Sequence, residues 1–402
     1  MIFLAQLALR NLFRNVNRTL ITSVTVVFGV ALPILGWGMV DGLDENVVRA
    51  ARTTTTGEVL LRPDAYPTDG IEFPLTKADA VPPALAAKLD AAGAWTARAV
   101  FPARLVKGAE AVRATGNVYD AKTDPTVFPR AGWALEGAWP AAGVPEVVLG
   151  DGLARLLDAK LGDDVVVEAR TFPGALNALS FRVVGIVGTD NAALDNLGLW
   201  VEAGVGDGLL ALDGRRTHVA LDAKGDPAEA ARTLAGLGWS TRTVYEESAD
   251  LISANMIRRY ALLFMVGIIL LIAGVGIANT VIMAAYERVR EIGTLMALGM
   301  KKRAVAGLFL FEGAGMGLVA GLLGAALGVA GVLYWQEHGI YLGEAVKNSG
   351  SNVAMGSTVY MQFRWTPILV SWAFGLGIAL VASLWPARYA SNLNPADAVK
   401  AD

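Results

Sequence analysis

The sequence predicts an α-helical membrane protein with four transmembrane helices and a large extracytoplasmic α+β domain inserted between the first and second helices. Three observations predict this fold class: an apolar composition, four long apolar runs and the distribution of basic residues. Of the 402 residues, 54% are hydrophobic and 18% are charged, and the mean hydropathy is +0.46. An ordinary soluble chain of this length is less apolar. Part of this chain is therefore expected to lie in lipid.

Each apolar run is long enough to cross the roughly 30 Å hydrocarbon core of a bilayer. The runs cover residues 19–40, 258–285, 304–335 and 365–386. The first run follows a basic segment, as in a signal peptide, but its apolar stretch is too long and lacks a small-residue cleavage site. It is therefore predicted to be a retained anchor. Pro386 is expected to end the fourth run, because proline removes a helix hydrogen bond.

Basic residues mark the cytoplasmic side of the predicted helices. They concentrate in the N-terminal helix 1–18, the segment 286–303 and the tail 387–402. Arg258 and Arg259, next to the predicted extracytoplasmic segment, do not fit this orientation. Large domains are translocated regardless of such charges, so these two residues are given no weight. Residues 41–257 are thus predicted to form the extracytoplasmic domain, and residues 336–364 an outer loop.

The extracytoplasmic segment has a mixed α+β texture without a sustained βαβ rhythm. Short strands are predicted at 57–62, 147–150, 165–170, 181–187, 218–221 and 241–245, and helices at 152–159 and 226–234. Ser248 is predicted to cap a helix that continues into the second membrane helix, and residues 41–52 to extend the first membrane helix outward. Two such stalk helices would transmit movement between the membrane and the external domain.

The third membrane helix carries glycines at spacings of three and four, which place them near one helix face. They are Gly313, Gly317, Gly321, Gly324 and Gly328, followed by Gly331. Because glycine lets another helix approach closely, this face predicts either tight packing within one subunit or a dimer interface. Glu312 would be costly in lipid, and it is expected to face protein or the interface.

Catalytic and metal-binding patterns are scarce. The sequence has no cysteine, no GxxxxGK[ST] phosphate loop and no GxSxG motif. Its two histidines, His218 and His338, lie far apart in sequence, so we predict no catalytic residue, no metal site and no cofactor in this chain. The net charge is −3, whereas nucleic-acid-binding domains are usually basic, so we predict no nucleic-acid partner. Any ATP-driven work is expected to need a separate ATPase subunit.

Residues 286–303, YERVREIGTLMALGMKKR, form a charged segment between two apolar runs, which predicts a cytoplasmic helix that binds a partner. Its apolar side chains would anchor the helix and its charged side chains would fix the register. The anchors are Ile292, Leu295, Met296 and Leu298, and the charged residues are Glu287, Arg288, Arg290 and Glu291. The alternative is an interfacial helix on anionic lipid, which predicts no ATPase partner.

The run ERVREIGTLMALG resembles the coupling-helix signature of the MacB/FtsX/LolC/LolE class of ABC transporter permeases. The closing stretch WPARYASNLNPADAVK is similar to the C-terminal signature of that class, and LALRNLFRNVNRTLIT to its N-terminal basic helix. VVLGDGLARLLDAKLGDD and FRVVGIVGTDNAALD resemble its external core domain. Together these motifs cover nearly the whole chain in the order of the class.

The resemblance implies a multi-pass permease of the bacterial inner membrane with a large periplasmic domain. It also implies a dimer, formed with a second copy or with a related permease, on a pair of ABC ATPase subunits that bind ATP and magnesium. ATP hydrolysis there would move the external domains by mechanotransmission. The ATPase-coupling residues that it implies are Glu287, Arg288, Arg290, Glu291, Ile292, Gly293, Leu295, Leu298 and Gly299.

Within the class, two features favour the lipoprotein-releasing LolC/LolE branch. One is the absence of a fused ATPase domain, and the other is the outer loop 336–364. Such a permease would extract a lipoprotein or another amphipathic substrate from membrane lipid, with a periplasmic carrier or adaptor. The alternatives are an FtsX-like regulator of an extracytoplasmic enzyme and a MacB-like tripartite efflux permease.

Two further predictions concern contact with the substrate and the carrier. A lipid-binding substrate cavity is predicted at Trp37, Met39 and Met256, which are otherwise interfacial anchors and packing residues. In LolC-type relatives the loop corresponding to 169–180 is a chaperone-binding hairpin. Here Phe172 and Pro173 are predicted to form either such a contact or a plain β-turn.

Overall fold

The computed structural model describes residues 16–67, 73–189, 191–254, 256–287, 294, 296–343, 356 and 358–391. These residues form two compact units. The first unit contains the described parts of 1–42, 255–340 and 360–402, and the second unit those of 43–254 and 341–359. We call them the helical unit and the external unit.

The helices begin and end at the following residues. They are α1 (Val16–Ala51), α2 (Pro83–Ala92), α3 (Asp124–Val127), α4 (Asp151–Leu156), α5 (Ala192–Leu197), α6 (Ala203–Leu210), α7 (Pro227–Leu234), α8 (Val244–Ala254), α9 (Met256–Glu287), α10 (Lys302–His338) and α11 (Trp365–Ser391). A π-helical turn, Arg52–Thr56, directly follows α1.

The strands belong mainly to the external unit. They are β1 (Val59–Pro63), β2 (Gly93–Lys107), β3 (Glu110–Tyr119), β4 (Ala134–Gly137), β5 (Glu146–Gly150), β6 (Asp164–Arg170), β7 (Leu176–Gly188), β8 (Gly198–Glu202), β9 (His218–Ala223), β10 (Trp239–Thr243), β11 (Ile340–Tyr341) and β12 (Thr358–Val359).

Three helical segments within the described residues are long and apolar enough to cross a membrane. They are Ser23–Thr56, Lys302–His338 and Trp365–Tyr389. In α9 the apolar described segment Phe264–Gly276 is shorter than these. The sequence-based expectation of apolar helices is therefore confirmed, and the count of four membrane-spanning helices stays a prediction.

Glycines let α10 approach two other helices of the same chain. Gly313, Gly317 and Gly321 face α11, and Gly324, Gly328 and Gly331 face α1. A Cβ atom added at Gly317 would lie 2.7 Å from Cβ of Ala379, and one added at Gly324 would lie 2.6 Å from the carbonyl oxygen of Val27. Side chains larger than hydrogen do not fit at these distances, so the glycines permit close helix packing. The alternative role in a dimer interface stays a prediction.

The predicted end of the fourth membrane helix at Pro386 is wrong. The helix α11 continues through this residue to Ser391. Proline removes one helix hydrogen bond, but packing by neighbouring helices can stabilise a helix that contains it. Ala387 in the following turn is buried in a cluster with Val305 and Phe309 of α10. Tertiary packing therefore supports the turn that local sequence disfavours.

Part of the external unit is a two-layer sandwich of four strands and two helices. Its sheet has the antiparallel order β10-β1-β9-β2. Because α2 connects β1 to β2 and α7 connects β9 to β10, this is the doubled split β-α-β arrangement of ferredoxin-like folds. Its apolar core consists of Val59, Leu61, Leu85, Leu89, Val219, Leu221, Ala231, Leu234 and Trp239.

The chain between β2 and β9 forms a closed six-stranded barrel. Adjacent strands follow the order β2-β3-β8-β5-β7-β6, and β6 pairs with β2 to close the ring. Closure removes the unpaired edges that an open sheet would present. Inward side chains fill the barrel, among them Phe101, Leu105, Val118, Leu149, Val167, Phe181, Val183, Leu199 and Val201. The predicted α+β character is confirmed.

The strand β2 belongs to both the sandwich and the barrel. Its residues 93–98 pair with β9, and its residues 103–106 pair with β6. Pro102 lies between these two stretches, where β2 pairs with neither β9 nor β6. The predicted strands do not include residues 93–119, where alanine, arginine and proline interrupt the apolar alternation.

The prediction that Ser248 caps the second stalk helix is wrong. The helix α8 already begins at Val244, and Ser248 is a buried residue inside it. The preceding residue, Thr243, provides the cap. Its Oγ1 accepts a hydrogen bond from the backbone N–H of Glu246 (3.3 Å), and Oε2 of Glu246 accepts one from the backbone N–H of Thr243 (2.7 Å). This reciprocal pair is a capping box.

Candidate functional site

The first candidate site is the predicted ATPase-coupling segment, of which the structure describes only a part. Arg288, Arg290, Glu291, Ile292, Gly293 and Leu295 lie outside the described residues. Glu287 is the last residue of α9. Leu298 and Gly299 are described, together with Thr294 and the residues that lead into α10.

The described part is a helical turn that ends at Gly299. The backbone N–H of Leu298 donates to the carbonyl of Thr294 (3.0 Å), and that of Gly299 to the carbonyl of Met296 (3.0 Å). Gly299 has φ of +96°, a left-handed conformation in which glycine commonly ends a helix. The described residues 294 and 296–300, which we call the coupling turn, therefore contain a helix end at Gly299, and α10 begins after them.

The coupling turn is anchored on one side and exposed on the other. Met296 and Met300 pack against the buried cluster that includes Val305 and Phe309. Leu298 instead exposes 84% of its surface. The following basic residues, 301–303, are exposed as well. An exposed leucine beside three cations suits a protein partner that offers an apolar socket with an acidic rim.

Glu312 is buried in the helical unit, with 5% of its surface exposed. Its neighbour Gly313 lies against Ser383 of α11. An ionisable side chain inside an apolar helix is costly unless protein surrounds it. The location agrees with the expectation that this carboxyl group faces protein.

The described side chains do not test the predicted substrate cavity at Trp37, Met39 and Met256. Trp37 and Met39 are half-buried, and Met39 packs against a cluster that includes Val332 and Met361. The side chain of Met256 lies outside the described residues. The cavity at these positions stays a prediction.

The sequence did not indicate an apolar groove between α9 and α11. Its cavity volume is about 710 Å³. Glycines at 274 and 377 reduce the side-chain volume there. The lining residues are Leu271, Gly274, Val275, Val370, Ala373, Phe374, Gly377, Ile378, Val381 and Ala382. Such a surface can hold a hydrocarbon chain, because the lining side chains that the structure describes are all apolar.

The second candidate site lies within the external unit, where the end of α1 meets the sandwich and the barrel. Four threonines, 53–56, occupy the π-helical turn, and Thr54 is fully buried. Its hydroxyl donates to the carbonyl of Ala50 (2.6 Å). Because the last carbonyl groups of a helix lack partners within the helix, the carbonyl of Thr54 is available to another donor. We call this turn and its partners the stalk junction.

A buried arginine binds that carbonyl. Nη1 of Arg98 on β2 donates to the carbonyl oxygen of Thr54 at 2.7 Å. Its Nε and Nη2 atoms donate to the two carboxylate oxygens of Asp124 at 2.6 and 3.0 Å. Arg130 also donates to Asp124, at 3.1 Å. The ring of Phe128 lies 3.8 Å from the Arg98 guanidinium carbon, so hydrogen bonds and an aromatic face compensate the buried charge.

The barrel supplies a second bond to the stalk junction. Nδ2 of Asn191, which follows β7, donates to Oγ1 of Thr54 at 2.9 Å. Oδ1 of Asn191 accepts from the backbone N–H of Ala193 at 3.2 Å and so caps α5. One residue of the stalk thus contacts the sandwich through Arg98 and the barrel through Asn191. Sequence spacing cannot reveal this convergence, because the partners lie far apart along the chain.

The environment of the stalk junction shifts the pKa of two nearby groups. Burial, together with the positive charges of Arg62 and Arg98, lowers the pKa of His218 well below its ordinary value. Burial raises the pKa of Tyr119 to about 12, although Arg130 opposes this shift. Both side chains are therefore neutral near pH 7.

Residues 169–180 form the end of the β6–β7 hairpin, in which a tight loop at 171–175 joins the two strands. The backbone N–H of Gly174 donates to the carbonyl of Thr171 (2.8 Å), which closes a turn. The backbone N–H of Phe172 donates to Leu210 (2.7 Å), and the guanidinium carbon of Arg215 lies 4.6 Å from its ring centroid. Phe172 thus contacts its own domain, and the geometry fits a β-turn.

Apolar helices together with an inserted α+β domain define a membrane protein with one large domain outside the helices. Family models identify both parts. Residues 19–237 match the MacB-like periplasmic core domain, which is more than half of the chain, and residues 263–395 match the FtsX-like permease C-terminal region. The chain therefore belongs to the MacB/FtsX-like family of ABC transporter permeases, and its inserted domain is the periplasmic domain of that family.

Individual relatives agree with this family. The macrolide export ATP-binding/permease protein MacB of Sodalis glossinidius is 24% identical over 98% of this chain and 60% of its own length. An uncharacterised ABC transporter permease of Methanocaldococcus jannaschii is 25% identical over 63% of this chain and 62% of its own length. MacB of Brucella abortus is 29% identical over 33% of this chain and 18% of its own length. The chain thus spans less than two thirds of these relatives.

Among solved structures, the periplasmic region of MacB from Actinobacillus actinomycetemcomitans matches 52% of this chain and 97% of its own length. The sequence identity is 14% and the TM-score is 0.35. The family matches support the MacB/FtsX-like part of the predicted resemblance, and they do not distinguish the LolC/LolE branch.

Proposed function

We propose that this permease works with a separate dimer of ABC ATPase subunits, which binds the coupling turn and supplies the ATP and magnesium chemistry. The observation that carries the proposal is the exposed Leu298, held on a turn whose other side is anchored by Met296 and Met300. A rigidly held apolar side chain loses little conformational entropy on binding, which favours a protein contact. The proposed location is a bacterial inner membrane.

The substrate in this proposal is a hydrophobic or amphipathic molecule that reaches the periplasmic side. The apolar groove between α9 and α11 supports this substrate class, because its lining would bind hydrocarbon. The MacB relatives are named for macrolide export, which supports an efflux permease. Lipoprotein release is the second candidate, since acyl chains suit the same apolar lining.

The proposed mechanism is mechanotransmission. ATP binding and hydrolysis in the partner would displace the coupling turn, and α1 would carry movement to the stalk junction. The buried bonds from Arg98 and Asn191 to Thr54 support this mechanism, because they fix the end of the helix to two parts of the external unit. A second permease subunit, identical or related, completes the proposed assembly.

The first experiment tests the ATPase contact. The tagged full chain is extracted gently from its native membrane, and co-purifying proteins are identified by mass spectrometry. Leu298→Asp is expected to reduce recovery of a P-loop ATPase at least about tenfold, because full burial of a leucine side chain contributes about 1.5–3 kcal/mol and tenfold corresponds to about 1.4 kcal/mol. The matched control is Leu156→Asp in α4, since Leu156 is also exposed, at 62%.

Recovery of an ATPase with the control but not with Leu298→Asp supports the coupling contact. Equal recovery with both variants, or no ATPase with the unaltered chain, contradicts it. The other proteins recovered separate the substrate alternatives. Acylated lipoproteins or a carrier would favour lipoprotein release, an adaptor would favour efflux, and a cell-wall hydrolase would favour the FtsX-like regulatory function.

A further inference from the structure

We propose that the outer face of β3, β2 and β6 binds an anionic amphiphile, with arginines holding its acidic head group and apolar side chains holding its hydrocarbon part. This inference deepens the proposed function by naming a binding site in the external unit, and it rests on that function only for the periplasmic location. We call the site the arginine groove. It is lined by residues of 73–76, 102–104, 111–115 and 168–176, and by Leu197.

Strand register places the charged residues in one row. Arg104 on β2 lies opposite Arg113 on β3, and on its other side it lies opposite Glu168 on β6. Arg170 is two residues beyond Glu168 on β6, so it belongs to the same face of the sheet. Three guanidinium groups thus share this face with one carboxylate, and the local charge is positive.

The charges on this face are incompletely compensated within the chain. Nη1 of Arg104 forms an exposed ion pair with Glu168 at 3.1 Å, and Nη1 of Arg170 donates to the carbonyl of Gly174 at 3.3 Å. Among the described residues, the side chain of Arg113 has no hydrogen bond or ion pair. Like charges that lie directly opposite on neighbouring strands destabilise a sheet. An anion bound between Arg104 and Arg113 would remove that repulsion.

The arginine groove has the size and the lining of a ligand site. Its cavity volume is about 1040 Å³, which is near the upper end of the range for small-molecule sites. Phe73, Leu75 and Leu176 provide apolar surface beside the arginines. Leu176 exposes 72% of its surface, so burying it against a ligand would be favourable.

The arginines and the apolar lining of the groove together favour an anionic amphiphile as the ligand. Arginine binds carboxylate and phosphate groups through paired hydrogen bonds, and both groups are therefore candidates for the head. A small inorganic anion would leave the apolar lining exposed to water, whereas a ligand with a hydrocarbon part would bury it. A neutral lipid would leave Arg113 without a counter-charge.

The test uses the full chain in nanodiscs of phosphatidylcholine. Photoreactive dodecanoate and dodecyl phosphate are titrated below their micelle concentrations, and cross-linked peptides are identified by mass spectrometry. A neutral photoreactive dodecanol reports partition into the lipid. The expected result is saturable cross-linking within 102–115 or 168–176 by at least one anion, but not by the alcohol. The preferred anion identifies the head group as carboxylate or phosphate.

The double variant Arg104→Glu/Arg113→Glu is expected to weaken this binding at least about tenfold, since a hydrogen bond to a charged group contributes more than about 1.4 kcal/mol. Leu176→Asp tests the apolar part independently. The matched control is Arg232→Glu, an exposed arginine of α7 outside the groove. Folding of each variant is checked by thermal unfolding.

Unchanged binding by the folded double variant, or equal labelling by dodecanol, would overturn the proposal. A photoreactive amino acid placed at position 111 gives a further test in native membranes. Cross-linking from this position to a protein instead of an amphiphile would also overturn the proposal. The co-purification experiment with the ATPase shows whether the proposed function fails as well, because it does not depend on the arginine groove. The groove variants retain Leu298 and should still recover the partner, even if the amphiphile does not bind.

Discussion

His218 shows at the residue scale how the fold converts an ionisable group into a structural one. The side chain is buried between Tyr66, whose ring centroid lies 5.2 Å from its own, and Thr217, whose Oγ1 lies 2.8 Å from its Nδ1. Arg62 and Arg98 add positive potential to the effect of burial, and together they lower its pKa. Protonation in the folded state would place a further cation next to two arginines.

This environment predicts that the external unit loses stability in mild acid. The unfolded histidine has a pKa of about 6.5, and the folded pKa is lower, so the unfolded state binds the proton first. Stability should therefore fall as the pH drops below about 6.5. Thermal unfolding of the full chain between pH 7.5 and 5.5 measures this loss. His218→Gln should reduce the loss, and the exposed His338→Gln serves as control; the same pH dependence in all three proteins would contradict the prediction.

Sequence identifies His218 as one of two histidines, but it cannot give the residue a role. The shift of its pKa depends on arginines from β1 and β2, which approach it only through the strand pairing. Thr54 and Asn191 are similar cases, since each is an ordinary polar residue until the fold brings them together. By contrast, Leu298 could be predicted as a partner-binding residue from the sequence, because it lies in a charged segment that separates two apolar runs.

At the scale of elements, α10 is fixed by two rows of glycines that face different partners. The first row contacts α11 and the second contacts α1. Spacings of three and four residues keep all six glycines near one face of α10, and the neighbour of that face changes along the helix from α11 to α1. The small residues are thus distributed between two interfaces within one chain.

Replacing a glycine of the second row, Gly324, Gly328 and Gly331, by a larger residue is expected to disrupt the packing of α1 on α10. Gly324→Leu would place a side chain against the backbone of Val27, which cannot move as a flexible side chain can. Overpacking of this kind typically costs about 1–3 kcal/mol. Gly267→Leu on α9 is the control, since nothing lies within 4 Å of an added Cβ there. Thermal unfolding of the full chain in detergent should show a lower midpoint for the first variant, and equal midpoints would contradict it.

Elements with a strong local signal were predictable. The strand at 165–170 and the helix at 226–234 agree closely with β6 and α7, since apolar alternation and an Asp-Pro start mark them. The hairpin β2–β3 was not predictable, because its long strands are held by three neighbours rather than by local pattern. The extension of α11 beyond Pro386 has the same origin, namely packing against α10.

At the scale of the whole molecule, α1 is the element that belongs to both compact units. The helix runs through Pro33, which lacks the N–H group for one backbone hydrogen bond. Its value for coupling depends on how its last turn is held. The bonds to Arg98 and Asn191 end on a single residue, Thr54, and the mechanotransmission proposal therefore expects this residue to matter more than its neighbours.

Thr54→Val tests that expectation with nearly unchanged shape. Valine keeps the carbonyl that Arg98 binds, but it removes the hydroxyl and leaves the buried amide of Asn191 without its acceptor, at a cost of about 1–3 kcal/mol. Thr55→Val is the matched control, because Oγ1 of Thr55 donates to the carbonyl of Ala51 in its own helix. In proteoliposomes with the ATPase, Thr54→Val should lower substrate movement per ATP hydrolysed while hydrolysis continues. If both variants lower substrate movement per ATP equally, the stalk junction only stabilises the fold, and the prediction is contradicted. If only Thr54→Val lowers it, the contacts of Thr54 transmit the movement of α1 to the sandwich and the barrel.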